Sequence, residues 1–568
     1  MTPNSPEYSA GYLGLAQPVR VQFPTAPARS MVEYIIELLC RPSVLLIVLT
    51  AVVASQGITR GEFFFHTDEM YHAMNGLFVR DFLVDFPIHH PVQYAYEYYA
   101  KYPAVALPHW PPLFYVAEGL AFLVFGISPW VSRLVVLCFA MAAVYFWYRI
   151  ALPLGPRYRA FLSALILSCL PYILIYERLT MLEIPSLAMC LGAIYFWLRF
   201  LETERGRYLW FLAGFAVAGF LTSQSMIFVV FFVVMHLIVE RRFQLLKRVD
   251  VWLALFASAA VTLPWYMLTQ RTERVPLGTM VGRVSGYGFK HLLRGVTYSY
   301  YPIEVYKKFG ALLLGLACLG LILALVKRTR ANRLLLVWIF SAYVCFVVIS
   351  EKDPRHTIVW IPPLLYLALT ALETLCVRRT WALIISSALA LFFVVGALLS
   401  ERPFVDGAAA AADYVLSLPE SDVVYYQGAL HGDFIFYVRR LDPEKRHLVA
   451  REKQVVVLGR EQRPILHSPQ EVLEFFQNWG IRYAVVEDID PFPGFGPVRD
   501  LLKSDQFELL HSFPVLTNQA DVLVRQIQVF RYRGDVHRTN RNVMIPMLTL
   551  RHGIFADLSR LAGRPWPK

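Results

Sequence analysis

Charge is scarce in this chain. Asp, Glu, Lys and Arg make up 17% of its 568 residues, against about 25% in an average soluble protein. A further 57% are hydrophobic, more than one soluble core of ordinary size can hide, which excludes an ordinary globular protein. Cysteine is missing where a disulfide scaffold would need it. Cys40, Cys138, Cys169, Cys190, Cys318, Cys345 and Cys376 lie in or beside apolar runs, without zinc-type spacing, and the segment after 400 has none. Residues 1–30 are polar and Pro-rich and lack the apolar core of a cleavable signal peptide; they read as a disordered cytoplasmic tail. There is no internal repeat and no low-complexity tract.

The apolar residues come in runs of membrane-spanning length. Such runs fall near 35–57, 131–151, 159–177, 182–200, 208–222, 225–240, 251–269, 308–326, 333–350, 357–375 and 381–399. The run 113–126 is short for a span and reads as interfacial or re-entrant. Counting it would place the clusters at 157–159, 205–207, 241–242 and 327–330 outside, against the positive-inside rule. The net charge of +12 is carried largely by such clusters, which argues for membrane lipid rather than nucleic acid as the partner. The expected fold is therefore mainly α, a polytopic membrane protein of about eleven transmembrane helices with a C-terminal soluble α/β domain. In that soluble part, β-rich runs such as Val423–Gln427 and Tyr483–Glu487 alternate with helical stretches such as Pro469–Trp479. The expected division is a tail at 1–30, a membrane domain at 31–400 with outer loops 58–130 and 270–307, and an extracytoplasmic domain at 401–568.

Ionisable residues are almost missing from the span centres. Arg133, Arg149, Glu177, Glu183, Arg199 and Glu373 all lie near span ends, whereas ion-coupled transporters keep such groups near mid-membrane. The chemistry is expected at one surface. The first outer loop carries His66-Thr67-Asp68-Glu69-Met70-Tyr71-His72. With Thr67 as a helix cap, Asp68, Tyr71, His72 and Asn75 share a face. A carboxylate there suits a general base that removes a hydroxyl proton; acids in a first helical turn are also ordinary dipole partners. His66, Glu69 and His72 are weak candidates for a divalent metal, which the sequence admits but does not require. His109-Trp110-Pro111-Pro112 fixes where the chain meets the membrane, and His109 is expected in the same cavity. Arg178 and Glu183 flank a third outer turn, where snorkelling interfacial charges are the plainer reading. Lys352, Arg355 and His356 sit at the outer surface against the positive-inside rule and suit a phosphate, or an ion-paired turn with Glu351 and Asp353.

A first-loop Asp-Glu, a Pro-Pro-aromatic segment, an Arg…acid-x-Pro turn and a late Lys-x-Pro-Arg-His occur in that order over residues 35–400. The chain thereby resembles the GT-C superfamily of integral-membrane glycosyltransferases, within it the protein O-mannosyltransferase and aminoarabinose-transferase branch, in a bacterial form. The resemblance implies an inverting transfer of a sugar from polyprenyl phosphate to a hydroxyl of a glycan, lipid or protein at the outer face of the inner membrane. It implies Asp68 as base, Glu69 as its assistant or an acceptor ligand, and Arg355, Lys352, His356 and Arg178 around the donor phosphate. Tyr71, His72, His109 and Glu183 would line the cavity. Two positions depart from the family pattern: Glu183 stands where Asp is commoner, and the Leu221-Thr222-Ser223-Gln224 turn lacks a frequent Lys. A transporter or flippase of lipid-linked sugars and a non-catalytic scaffold are the rival readings.

Overall fold

The computed structural model describes residues 41–63, 68–106, 108–272, 288–349, 352–457, 463–489, 495–538, 542–545 and 553–566. Among these, seven helices are long and apolar enough to cross a membrane: Pro129–Leu154, Glu183–Thr203, Val249–Thr269, Gly295–Lys327, Arg330–Val348, Pro354–Leu375 and Arg379–Leu399. An eighth span results if the bent pair Arg157–Cys169 and Pro171–Glu177 is one crossing. The expected count of eleven is thus not reached by length. The stretches near 35–57, 208–222 and 225–240 hold the shorter helices Pro42–Ala54, Gly206–Phe220 and Gln224–Val239.

Two breaks have local causes. The 63° bend falls at Leu170, which is extended (φ −66°, ψ 127°) because the ring of Pro171 clashes with a helical predecessor. The Gly295–Lys327 helix breaks at Gly310 (φ 71°, ψ 169°), a backbone conformation that side chains other than glycine's avoid.

Among the described residues three helices lie between Pro42–Ala54 and Pro129: Glu69–Asp85, Pro91–Lys101 and Leu113–Phe125. The last has 13 residues, about 20 Å of helix against a hydrocarbon core of about 30 Å. It lies tight against the first. A Cβ at Gly119 would meet the Arg80 amide nitrogen at 2.9 Å and the Gly76 carbonyl at 3.0 Å. Because those atoms are backbone, Gly119→Ala is expected to cost about 1–3 kcal/mol, measurable as a lower thermal midpoint in detergent.

The C-terminal region builds a five-stranded sheet. We number its strands β1 (Val423–Gln427), β2 (Leu448–Arg451), β3 (Tyr483–Glu487), β4 (Phe507–Pro514) and β5 (Gln526–Tyr532). Their spatial order is β2-β1-β3-β5-β4. The first three strands run parallel and β5 is antiparallel to both its neighbours. β1, β2 and β3 are buried along their whole length, as parallel strands covered on both faces must be. The Pro469–Trp479 helix is capped as its sequence prescribes. Ser468 accepts the Glu471 amide, Pro469 fills the first turn and Gly480 ends it at φ 71°.

One hydrophobic core joins this sheet to the three short helices. Met70, Met74, Leu77 and Tyr98 share it with Val424, Tyr426, Phe434 and Val485. A polar bolt runs through it: Arg439 makes two hydrogen bonds to Asp81, at 2.7 and 2.8 Å, and Tyr98 donates a third at 2.8 Å. Burial works to raise the Asp81 carboxyl, but Arg439, Lys445 and Arg80 outweigh it and hold it below its usual range. Glu62 adds a second tie by accepting the amides of Gly407, Ala408 and Ala409 at the start of the Ala408–Leu416 helix.

Burial raises the Glu62 carboxyl to about 7 despite those amides. The folded form therefore holds a proton that the unfolded chain has released by about pH 4.3. Its contribution to stability falls as pH rises from about 4.3 through 7. Thermal unfolding of wild type and Glu62→Gln at pH 5 and pH 8 checks this. The wild type is expected to lose more between the two.

Candidate active site

Asp68 stands at the N-terminal boundary of the Glu69–Asp85 helix but does not cap it with its side chain. Its carboxylate turns instead to Arg355, Oδ2 to Nη1 3.1 Å. Thr67, the expected cap, lies outside the described residues. Arg355 is also reached by Glu183, the first residue of the Glu183–Thr203 helix, at 3.3 Å, and by Asp353 at 2.8 Å. Asp353 caps the turn that follows, accepting the Arg355 amide at 2.8 Å. Residues 68, 183, 353 and 355 thus form one cluster of three carboxylates around one guanidinium. Asp68 is 34% exposed and Glu183 11%, so an incoming molecule meets Asp68 first. An ion pair this open contributes only about 0–1 kcal/mol, so a competing anion can take Arg355 and release Asp68.

Glu69, expected as the assistant of Asp68 or an acceptor ligand, points away from the Arg355 cluster into the protein. It is fully buried. Its Oε1 accepts the Thr180 amide at 2.9 Å and lies 3.6 Å from Arg133 and 3.4 Å from Arg402. Arg133 in turn donates to the carbonyls of Ile58, Arg60, Gly61 and Glu62, and Arg402 to those of Arg60 and Arg178. Burial lowers Arg402 to about 9, so it stays charged at pH 7. The Glu69 carboxylate thus ties the Thr180 amide, Arg133 and Arg402 together behind the turn that carries Asp68.

Three expected phosphate ligands are likewise committed within the protein. Arg178 donates to the carbonyls of Val53, Ala397 and Ser400, and to the side chains of Gln56 and Ser400. It pins three helix ends together. Lys352 donates to the carbonyls of Phe346, Val347 and Ile349, closing the end of the Arg330–Val348 helix, and burial pushes it down to about 8. His356 stacks on Phe346 at 4.6 Å and meets the Tyr301 hydroxyl at 3.2 Å.

The cavity residues divide. His109 packs edge-on to Trp110, whose ring also meets His72 and Tyr71; burial lowers it while the Asp68 charge opposes this. Tyr71 pairs with His431 at 2.8 Å, so the sheet region touches the helix next to Asp68. His72 lies buried against Tyr115 at 2.8 Å, pushed down to about 3 by burial and then by Arg355, and is neutral at pH 7. Asn75 accepts the Ala106 amide. Of the weak metal candidates, His66 lies outside the described residues, while Glu69 and His72 are taken by these partners. No group of three His, Cys, Asp or Glu fit to hold a metal occurs among the described residues. The Arg355–Asp353 pair is the ion-paired turn that the sequence offers beside the phosphate reading; the sequence marks Arg133 only as a charge near a span end, and does not single out Arg402 and His431. The one signal for Arg133 and Arg402 was basic charge beside spans on the side expected to be outer.

Helices of spanning length bring residues 68, 183, 353 and 355 together beside a sheet region, the arrangement of a multi-pass membrane protein. Residues 109–267 match the family model described as dolichyl-phosphate-mannose-protein mannosyltransferase. That match includes Glu183 but not Asp68 or Arg355. ArnT from Cupriavidus metallidurans in the apo state superimposes with a TM-score of 0.57 at 15% identity, over 86% of this chain and 98% of that one. The same protein bound to undecaprenyl phosphate gives 0.57 at 14%, over 88% and 98%. The apo oligosaccharyltransferase of Archaeoglobus fulgidus gives 0.52 at 12%, over 86% and 76%. At these identities the likeness is one of fold. No curated protein matches the chain in sequence.

Proposed function

We propose that this chain is an inverting glycosyltransferase that moves a hexosyl or pentosyl unit from a polyprenyl phosphate to a hydroxyl acceptor. The reaction takes place at the outer face of a bacterial inner membrane, with the N-terminus cytoplasmic and residues 401–568 extracytoplasmic. The observation that carries the reading is the half-exposed Asp68 carboxylate, 3.1 Å from Arg355, at the end of the helix bundle where a lipid phosphate and a water-side acceptor can meet. The ArnT relative bound to undecaprenyl phosphate supports the donor class.

In this reading the donor phosphate draws Arg355 away from Asp68. The freed carboxylate takes the acceptor's hydroxyl proton as its oxygen attacks the anomeric carbon. The bond from that carbon to the phosphate oxygen breaks, and the polyprenyl phosphate leaves with the electron pair, stabilised by Arg355. A single displacement from the opposite face inverts the anomeric centre. Glu183 and Asp353 orient Arg355, and Tyr71, His109 and the sheet region wall the acceptor side. The acceptor is a glycan, a lipid or a protein hydroxyl.

The test is sugar release from a panel of polyprenyl-phosphate sugars by purified wild type and Arg355→Ala, with and without chelator. One donor consumed by wild type and spared by the variant supports the reading. Failure of every donor, with every acceptor class supplied, contradicts it.

A further inference from the structure

A polyprenyl phosphate leaves carrying up to two negative charges, and Arg355 meets it already ringed by Asp68, Glu183 and Asp353. Lys352, Arg178 and His356 are committed elsewhere. The compensating positive charge has to come from another element. The Gly295–Lys327 helix brings one. Tyr301, Glu304, Val305 and Lys308 follow the i, i+3, i+4, i+7 spacing of a single helical face. That face docks on the Arg355 turn: the Tyr301 hydroxyl meets His356 at 3.2 Å, and the neighbouring Tyr300 hydroxyl reaches the Lys352 carbonyl at 3.5 Å. Lys308 Nζ lies 4.6 Å above the Tyr172 ring. The Tyr172 hydroxyl donates to the Pro354 carbonyl at 2.9 Å, so a single aromatic ring separates Lys308 from the residue preceding Arg355.

Depth agrees with position. The break at Gly310 follows Lys308 closely, and the helix beyond it is the apolar run to Lys327. Lys308 thus stands where the membrane-spanning part begins, the level at which a lipid phosphate sits. Its ion pair is a loose one: Glu304 lies 2.7 Å from Lys307 but 3.9 Å from Lys308. The Lys308 side chain keeps 25% exposure, enough to reach an incoming anion.

We propose that Lys308 is the second cation that holds the donor's phosphate, opposite Arg355; this rests on the glycosyltransferase reading above. A phosphate held between the two cations is partly neutralised before Arg355 leaves its carboxylates. Bulk anionic lipid offers the same chemistry as the donor, and the experiment separates the two.

Binding of polyprenyl phosphate is measured to full-length wild type, Lys308→Ala, Lys308→Arg and Lys307→Ala in phosphatidylcholine nanodiscs, with and without excess phosphatidylglycerol. Lys308→Ala is expected to weaken binding about 10- to 100-fold, the loss of one charge-assisted contact. Lys308→Arg is expected to recover most of it. Lys307→Ala removes the same charge from an exposed position and is expected to stay within about fivefold. Phosphatidylglycerol is expected not to compete. Wild-type affinity in Lys308→Ala, or equal competition by phosphatidylglycerol, overturns the proposal and leaves the glycosyltransferase reading standing. A wild type that binds no polyprenyl phosphate overturns both.

Discussion

Asp68→Asn is expected to slow sugar transfer by about 10²- to 10⁴-fold, the usual worth of a positioned general base, while polyprenyl-phosphate binding persists. The amide keeps the shape of the side chain and its place at the helix boundary but cannot accept the acceptor's proton. It also removes one of the three carboxylates that hold Arg355, so donor affinity is expected to hold or rise. Glu183 is the nearest substitute base, on the same guanidinium at 3.3 Å, but it is 11% exposed against 34% for Asp68. The residual rate in Asp68→Asn is therefore expected to be small and to vanish in the double variant with Glu183→Gln. Single-turnover transfer with saturating donor checks both statements.

Glu69→Ala is expected to damage the fold rather than the chemistry alone. The side chain lies buried between Arg133 and Arg402 and accepts the Thr180 amide. Removing it leaves two buried guanidinium groups without their carboxylate. Breaking a buried ion pair from one side costs about 3–5 kcal/mol. The arginines also hold the carbonyls of residues 58–62 and of Arg178, so the loss spreads through the base of the site. The expected result is a large fall in thermal midpoint, with transfer falling in proportion to the folded fraction. A Glu69→Ala protein that melts like wild type yet transfers no sugar would restore Glu69 to the chemistry.

Membrane helices and the strands Val423–Gln427 and Tyr483–Glu487 were legible in the sequence, as were Asp68 and Arg355 as separate candidates, but their ion pair was not. Apolar run length reports burial in lipid directly, and adjacent β-branched and aromatic residues report a buried strand. The arginine of the basic turn stood out because the expected topology puts it on the side of the membrane where arginine is rare. Roles settled by distant partners were not legible. Glu69 and Asp68 are neighbours in the chain, yet one meets Arg402 inside the protein and the other meets Arg355 at a surface. Lys352 lies in a basic turn, but its amine closes the carbonyls of Phe346, Val347 and Ile349, partners that spacing does not reveal. Apolar run length did not settle the span count: among the described residues seven helices pass the length test, or eight if the bent pair is one crossing.

The division of labour between Asp68 and Arg355 is tested most directly by measuring donor affinity and single-turnover transfer side by side in Asp68→Asn and Arg355→Ala. The expected result is a split: Asp68→Asn binds polyprenyl-phosphate sugar but transfers it about 10²- to 10⁴-fold more slowly, and Arg355→Ala fails to bind. Undiminished transfer by Asp68→Asn, or wild-type donor affinity in Arg355→Ala, would contradict it.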